Sequence, residues 1–429
     1  MERGNVVYQQ YINILKEELR PAMGCTEPIA LAYAGAKARE ILGQLPDRIE
    51  AYVSGNIIKN VKSVIVPNTG GLHGIAPAIC AGVVAGKAEK ELEVISQVSE
   101  AEKAQLKAFV ETTPVEIHQA ESDLIFDISL TLYHGREFVK VRIVNHHTNL
   151  VYLEKNGEIL LNLPVAESSE DHLTDKSCLS MEKIVEFADA LAVADVEEYV
   201  GRQIRYNMAI AEEGLRGDWG ANIGSVILRR RGGESAERRA CAYAAAGSDA
   251  RMSGCEMPVV ILSGSGNQGI TASVPVVVYG RDRGAAEEEI LRAVTVSDLV
   301  TIHQKTGIGR LSAYCGAISA GCGAGAGIAY LQGGGVDGVA HAVVNAIAIL
   351  SGTICDGAKP SCAAKIAAAV DAGLLGYDMY LENQQFYGGD GIVTKGADKT
   401  LSNIGRLARE GMRETDRTIL KIMMNEECK

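Results

Sequence analysis

Apolar and polar residues in the first 45 positions recur at helical spacing. Tyr8 to Leu19 predicts one helix, and PIALAYAGAKAREIL, which begins at Pro28, predicts a second helix with a proline near its first turn. The stretch from Ala51 to Val66 instead predicts a strand. After the turn-rich sequence VPNTGGLHG, the segment IAPAICAGVVAGKA predicts a buried helix of small residues.

The pattern changes between residues 107 and 163, where apolar and polar residues alternate. The dipeptides HG and NG mark turns there, so this segment predicts three or four antiparallel strands. The polar stretch ESSEDHLTDKSC then precedes long helical runs that begin at Met181. We therefore predict an α+β fold: an N-terminal α/β domain with an antiparallel sheet over residues 1–170, and a mostly helical domain over residues 171–429.

Composition narrows the class of protein. The chain has 429 residues, 47% of them hydrophobic and 22% charged, as expected for a globular protein, and its net charge of -12 argues against nucleic acid as the main partner. The short basic run Arg229–Arg231 is either solvated surface or an anion site. Because the start MERGNVVYQQ lacks the apolar region of a signal peptide, we expect a cytoplasmic protein whose ten cysteines stay reduced.

One long segment, between Arg310 and Asp337, carries no charged residue. It consists mostly of Ala, Gly and Ser rather than of the large apolar residues typical of a membrane span, so it predicts a buried helix and no membrane partner. Such small residues allow close packing of helices, and a homo-oligomer is one further expectation.

Four of the ten cysteines lie between residues 315 and 362. Cys355 and Cys362 flank the sequence DGAKPS, in which a glycine and a proline bend the chain, and this spacing suits two corners of a metal cluster. A third thiol would come from Cys315 or Cys322, and three protein ligands would leave one metal position open. The alternative is that these cysteines are small apolar core residues.

Five motifs along the chain resemble the L-cysteine desulfidase family, which is related to the iron–sulfur L-serine dehydratase alpha chain. They are AMGCTEP, SGNIIKN, SGSGNQGI, LSAYCG and GTICDGAKPSCAAK, and they occur in the family's order over nearly the whole length. The resemblance implies a β-elimination that converts L-cysteine to pyruvate, ammonia and hydrogen sulfide. It also implies a [4Fe-4S] cluster held by three cysteines, without pyridoxal phosphate.

The same resemblance implies roles for individual cysteines. Cys355 and Cys362 match cluster ligands. Cys315 lies at the third position of the desulfidases, whereas Cys322 is nearer the serine dehydratase pattern; we favour Cys315 and keep Cys322 as its rival. Cys25 matches the family's proposed catalytic base, and its place before a predicted helix is one that lowers the pKa of a thiol.

An amino-acid substrate also needs polar partners for its carboxylate and ammonium groups. Three motifs offer hydroxyls, amides and exposed backbone N–H groups, with plain turn formation as the alternative. The candidate substrate-binding residues are Ser54, Asn56, Asn68, Thr69, Ser265 and Asn267. In the cysteine loop, Asp356 either supports the neighbouring ligand or forms the turn.

Further histidines and lysines lie near these motifs. His146 and His147 end a predicted strand, on which adjacent side chains point to opposite faces, so we expect at most one in the site. His303 precedes the cysteine segment and either approaches the cluster or packs in a helix. Lys59 and Lys305 are the lysines available for a Schiff base, a role that the resemblance disfavours.

Other readings stay open at this point. L-serine dehydratase differs in the leaving group alone, and discrimination depends on pocket shape. A zinc or other single-metal hydrolase could use the same thiols, and a non-catalytic protein could simply bury them. The penultimate Cys428 is either a frayed tail or an active-site cysteine, as in related serine dehydratases.

Overall fold

The computed structural model describes residues 1–122, 124–165, 173–230, 233–309 and 312–424. In these ranges the chain forms a six-stranded sheet, a two-stranded ribbon and many helices, which confirms the predicted α+β class. None of the described helices is long and apolar enough to cross a membrane. The strands are β1 (Arg20–Met23), β2 (Arg48–Val53), β3 (Val115–Gln119), β4 (Asp127–His134), β5 (Glu137–Val144), β6 (Leu150–Lys155), β7 (Glu158–Asn162) and β8 (Pro258–Ile261).

Helices make up most of the remaining chain. Those before residue 165 are α1 (Val6–Glu18), α2 (Thr26–Leu42), α3 (Gly55–Val61), α4 (Ile75–Ala85) and α5 (Glu100–Thr112). Those after it are α6 (Met181–Ala190), α7 (Arg202–Arg216), α8 (Ile223–Arg230), α9 (Ala236–Met252), α10 (Gly266–Asp282), α11 (Glu287–Ile308), α12 (Gly316–Leu331), α13 (Gly335–Leu350), α14 (Cys362–Leu381), α15 (Ala397–Arg406) and α16 (Arg413–Met423).

The large sheet has the strand order β3-β2-β4-β5-β6-β7. Its neighbours are antiparallel except β2 and β3, which are parallel because α3, α4 and α5 return the chain to the same end of the sheet. The sheet is therefore mixed rather than purely antiparallel. In β2, Ile49, Ala51 and Val53 point inward, and together with α2 and α4 they form the sheet core of the protein.

The predicted strand over residues 51–66 is wrong beyond Val53. Ser54, in extended conformation, begins helix α3, in which Ile57 and Val61 are buried. These two residues are four positions apart, a helical spacing that the alternating interpretation missed. The turn from strand to helix matters because α3 carries the buried Lys59 toward the site described below.

The helices after residue 180 surround a second core, the helical core, which is rich in alanine and glycine. Helix α12 is the uncharged segment and lies buried there, as predicted. A methyl group on Gly373 of α14 would lie 2.4 Å from the carbonyl oxygen of Gly321 of α12, so these backbones touch. Small residues are therefore required by the close approach of the two helices.

The first 23 residues pack with the helical core, not with the sheet. Tyr8 and Tyr11 of α1 each pack against Phe187 with tilted rings at 5.0 Å between ring centroids, and β1 pairs with β8. The domain boundary near residue 170 stays a prediction, but the cores themselves do not divide the chain in sequence order. The chain crosses from one core to the other at Gly24 and Cys25, beside the cavity described next.

Candidate active site

A cavity of about 130 Å³ opens where the ends of several helices meet. Four cysteines line it, namely Cys25, Cys315, Cys355 and Cys362. Its polar wall also includes Glu27, Asn56, Lys59, Arg251, Ser265, Asn267, Gln268, Lys305 and Lys365. The cavity thus combines the cysteine loop with the four other motifs that the sequence singled out.

Two segments about forty residues apart meet at the thiols. Tyr314 and Ile354 form an antiparallel bridge, in which the N–H of Cys315 donates to the carbonyl of Thr353 at 3.1 Å. The N–H of Cys355 donates back to the carbonyl of Ala313 at 2.6 Å. This backbone pairing fixes Cys315 and Cys355 side by side.

The loop from Cys355 to Cys362 turns tightly at Gly357. This glycine has φ of +94°, and a methyl group there would lie 2.1 Å from the carbonyl oxygen of Lys59. The Cys362 sulfur lies 3.6 Å from the carbonyl oxygen of Gly357, and Cys362 begins helix α14. The loop therefore folds back so that its second thiol reaches the same cavity as the first.

Asp356 stabilises this loop through two lysines. Its carboxylate accepts hydrogen bonds from Lys359 and, at 2.7 Å, from Lys365. Burial opposes its ionisation, but the two lysines lower the pKa of Asp356 to about 2. The side chain thus anchors the turn and the start of α14, which combines both roles considered for it.

The two neighbouring thiols differ in acidity. A hydrogen bond from the Cys315 thiol lowers the pKa of Cys355 to about 5 in spite of burial, with the charge of Lys59 acting in the same direction. The same hydrogen bond raises the pKa of Cys315 well above its ordinary value. Cys355 is therefore the more acidic thiol of the pair.

Three of the cavity cysteines lie at helix N-termini. Cys25 and Cys315 precede the first residues of α2 and α12, and Cys362 is the first residue of α14. Helix N-termini favour negative charge. The expectation of an acidified Cys25 is nevertheless wrong, because burial dominates and raises the pKa of this thiol to about 12.

Cys322 lies inside helix α12 and does not line the cavity. It is 1% exposed, and burial raises the pKa of its thiol to about 12. Of the two rival cysteines, Cys315 is thus the one whose side chain reaches the wall that Cys355 and Cys362 share.

Three of the candidate substrate-binding residues line the cavity: Asn56, Ser265 and Asn267. Asn56 lies on α3, and its Oδ1 atom is buried without a hydrogen-bond partner in the described chain. Ser265 precedes α10 and Asn267 lies in the first turn of that helix. The SGN and SGSGN motifs therefore both present groups to one space.

The other three candidates do not line this cavity, and their side chains hold turns. The Ser54 hydroxyl donates to the carbonyl of Ile125 at 2.8 Å. The Asn68 amide donates to the carbonyl of Ile95 at 2.9 Å, and the Thr69 hydroxyl donates to that of Val66 at 2.7 Å. We therefore no longer assign Ser54, Asn68 and Thr69 to the substrate.

The histidines depart from expectation in two ways. His146 and His147 both line the cavity, because β5 ends at Val144 and Asn145 turns the backbone with φ of +66°. The prediction that at most one of them faces the site is wrong, since neither lies in a strand. His303 does not line the cavity; its Nε2 lies 2.7 Å from the Asp398 carboxylate.

Lys59 and Lys305 line the cavity. Lys59 is 1% exposed and forms an ion pair with Asp416 of helix α16 at 2.5 Å. The C-terminal helix is thereby tied to α3 beside the cavity. Cys428 lies outside the described residues.

Sequence reasoning missed Glu27, Arg251 and Gln268. Glu27 belongs to the GCTEP motif and Gln268 to SGSGNQG, so both lay within motifs that had been identified. Arg251 follows a run of small residues in α9 and has no local signal. The fold alone brings it against the first turn of α10.

In the described chain, three or more His, Cys, Asp or Glu ligand atoms within 4.8 Å of one another occur in one group, Glu50, Glu116 and His118. This group belongs to β2 and β3 and does not line the cavity. The sulfurs of Cys315, Cys355 and Cys362 are therefore not all within 4.8 Å of one another.

The chain matches known proteins over most of its length. The model of the serine dehydratase alpha chain family matches residues 89–421. A UPF0597 protein of Desulfitobacterium hafniense is 58% identical over 426 residues, which cover 99% of each chain. UPF0597 proteins of Lachnoclostridium phytofermentans and Treponema denticola are 46% and 43% identical, each over 98% of this chain and over 100% and 98% of their own.

The matched residues include both ends of the cysteine loop and the helices α10, α12 and α14, which form walls of the cavity. They place the protein among the lyases of the serine dehydratase type. The chain therefore belongs to the serine dehydratase alpha chain family.

Proposed function

We propose that this protein is an iron–sulfur-dependent lyase that eliminates hydrogen sulfide from L-cysteine and yields pyruvate and ammonia. The observation that carries the proposal is the convergence of Cys315, Cys355 and Cys362 on one cavity wall, with Cys25 nearby. Polar groups of Asn56, Lys305 and the first turn of α10 line the same cavity, as binding of a small zwitterion requires.

The three wall cysteines supply the kind of donor set that holds a [4Fe-4S] cluster with one iron left open. When bound, such a cluster with an open iron supplies a Lewis acid for the leaving sulfur.

The chain's own residues would handle the α-proton. We assign Cys25 as the base, because its sulfur lines the cavity and is shielded from bulk water at 1% exposure. Its thiolate form is disfavoured by burial and favoured by the charge of Arg251. The position before α2 adds the positive end of a helix dipole.

Pyridoxal phosphate is not part of this proposal. It would require a lysine free to form a Schiff base. Lys59 is engaged with Asp416, Lys305 also has an interaction within the protein, and Lys365 donates to Asp356 and to the carbonyl of Ile354. A reducing cytoplasmic environment would keep the cavity thiols available for the cluster.

L-serine is the alternative substrate, since its elimination differs only in the leaving group. The experiment is an anaerobic assay of the reconstituted protein with L-cysteine and with L-serine, in which pyruvate and sulfide are measured. We expect equal amounts of pyruvate and sulfide from L-cysteine at the higher kcat/KM. Preference for L-serine would support the alternative, and no pyruvate from either would contradict the lyase assignment.

A further inference from the structure

Arg251 is a buried cation that forms no ion pair in the described part of the chain. It lies near the end of α9, is 4% exposed and lines the cavity. Its Nε donates to the carbonyl of Gly24 at 3.0 Å, and its Nη1 donates to Oδ1 of Asn267 at 3.1 Å. Both acceptors are neutral, and no ion pair joins Arg251 to a carboxylate in the described part of the chain.

A buried guanidinium whose charge is not compensated by an anion is strongly unfavourable. Glu27 lines the same cavity and accepts from the Thr26 hydroxyl at 3.0 Å. The charge of Arg251 reaches this carboxyl, but burial raises its pKa and no ion pair joins the two in the described chain. An anion in the cavity would therefore complete the charge balance of Arg251.

The first turn of α10 adds to this anion site. Ser265 precedes the helix without capping it through its side chain, so this hydroxyl does not occupy the N–H groups of the first turn. A methyl group on Gly266 would lie 2.3 Å from Nε of Arg251, so this turn packs directly on the guanidinium. A fork of N–H donors beside a helix N-terminus matches the two oxygens of a carboxylate.

Gln268, two residues after Gly266, offers an acceptor for a positive group. Gln268 is 4% exposed, and its Oε1 is buried without a hydrogen-bond partner among the described residues. Its amide packs on Gly316, the residue after Cys315. Gln268 therefore lies between the anion site at Arg251 and the thiol wall.

We infer that Arg251 and the first turn of α10 bind the α-carboxylate of a free amino acid, and that Oε1 of Gln268 accepts from its α-ammonium group. This inference rests on the proposed function and assigns the groups that recognise the substrate. It restricts the substrate class to amino acids with both groups unmodified. Amides and esters lose the anion, and N-acylated amino acids lose the cation.

The test is binding of L-alanine, which has both groups but no leaving group, to the anaerobically reconstituted protein by calorimetry. L-alaninamide, which lacks the carboxylate, is the matched probe. We expect wild-type protein to bind L-alanine about 10- to 100-fold more tightly than the amide, the range for hydrogen bonds to a charged group. R251Q should lose this preference by weakening the binding of L-alanine, while R251K should retain part of it.

R406Q is the control variant, since Arg406 is 76% exposed and pairs with Glu410 on the surface. It should bind L-alanine as wild type does. Iron content and thermal unfolding of each variant are measured in parallel. If R251Q does not fold, R251K provides the test, because lysine keeps the charge but not the fork of N–H donors. A preference for L-alanine over L-alaninamide that is weaker than in the wild type then supports the inference, and an unchanged preference overturns it.

Equal affinity of wild-type protein for L-alanine and L-alaninamide would overturn the inference. So would an R251Q protein that loses its iron but binds L-alanine normally, since Arg251 would then balance the charge of the cofactor. Failure of the proposed function has a different signature. In that case L-alanine binds with the predicted preference, but L-cysteine and L-serine give no pyruvate.

Discussion

The backbone segments that carry Cys315 and Cys355 are hydrogen-bonded to each other, and this pairing holds the two thiols in contact. The N–H of each donates across the bridge between Tyr314 and Ile354. This relationship joins the start of α12 to the cysteine loop, and it makes Cys355 the more acidic thiol of the pair.

The first prediction separates the two rival cysteines. Cys315→Ser should lower bound iron after anaerobic reconstitution by at least about tenfold, because it removes a wall thiol. Cys322→Ser should retain its iron and lose on the order of 1–2 kcal/mol of stability, since it buries a hydroxyl inside α12. Iron analysis and denaturant unfolding measure both. The reverse pattern of iron loss would transfer the third ligand position to Cys322.

A second prediction concerns the glycine at the turn of the cysteine loop. Gly357→Ala places a methyl group 2.1 Å from the Lys59 carbonyl oxygen and should displace the loop, with loss of iron binding. Gly352→Ala is the matched control, because Gly352 also has positive φ, +100°, but has open space around it. The control should lose only the roughly 1–2 kcal/mol expected for the left-handed conformation. Equal effects of both changes on iron content would show that the contact with Lys59 is unimportant.

A third prediction concerns the attachment of the C-terminal helix. Asp416→Asn leaves the buried Lys59 without its carboxylate and should destabilise the protein by about 2 kcal/mol, less than a fully buried pair because Asp416 is partly exposed. Hydrogen exchange should show faster opening of α16 than in the wild type. Glu410→Gln, in an exposed pair with Arg406, should change stability by less than about 0.5 kcal/mol. Unchanged protection of α16 in Asp416→Asn would contradict this account.

The local pattern predicted those elements whose packing is decided by their own sequence. The buried helices of small residues, among them α2 and α12, appear where expected, and the loop between Cys355 and Cys362 was recognised from its spacing. Helix α3 was missed because a short segment with buried Ile57 and Val61 satisfies both helical and strand patterns. Short apolar segments of this kind are decided by tertiary packing.

The candidate site was predicted only in part, because it is assembled from distant segments. Nothing near Arg251 in the sequence indicates that α9 ends against the first turn of α10. The bridge that pairs Cys315 with Cys355 joins segments about forty residues apart, a contact that no local pattern contains. The acidity of Cys25 was misjudged for a related reason, since burial by Val64 and Met252 outweighs the effect of the helix N-terminus.

A fourth prediction concerns pH and a carboxyl group in the helical core. Asp298 is 0% exposed, accepts from Gln203 at 2.9 Å, and burial raises its pKa to about 8. Its unfolded pKa is about 3.9, so the folded state holds a proton between these values that the unfolded state has released. Its contribution to stability should therefore fall as pH rises from about 4 to about 8.

Asp298→Asn removes this titration. The stability of the variant relative to wild type should rise by about 1.4 kcal/mol for each pH unit between pH 5 and pH 8. Denaturant unfolding of both proteins at several pH values measures the difference. A difference that does not depend on pH would show that Asp298 keeps the same protonation state in the folded and unfolded protein over this range.

The central claim is that Cys315, Cys355 and Cys362 hold an iron–sulfur cluster, and its most direct test is the iron and acid-labile sulfide content of anaerobically reconstituted protein. We predict iron and sulfide in equal amounts, a broad absorption near 400 nm, and loss of all three signals in Cys355→Ser. A colourless wild-type protein without bound iron, or a Cys355→Ser protein that binds as much iron as the wild type, would contradict the claim.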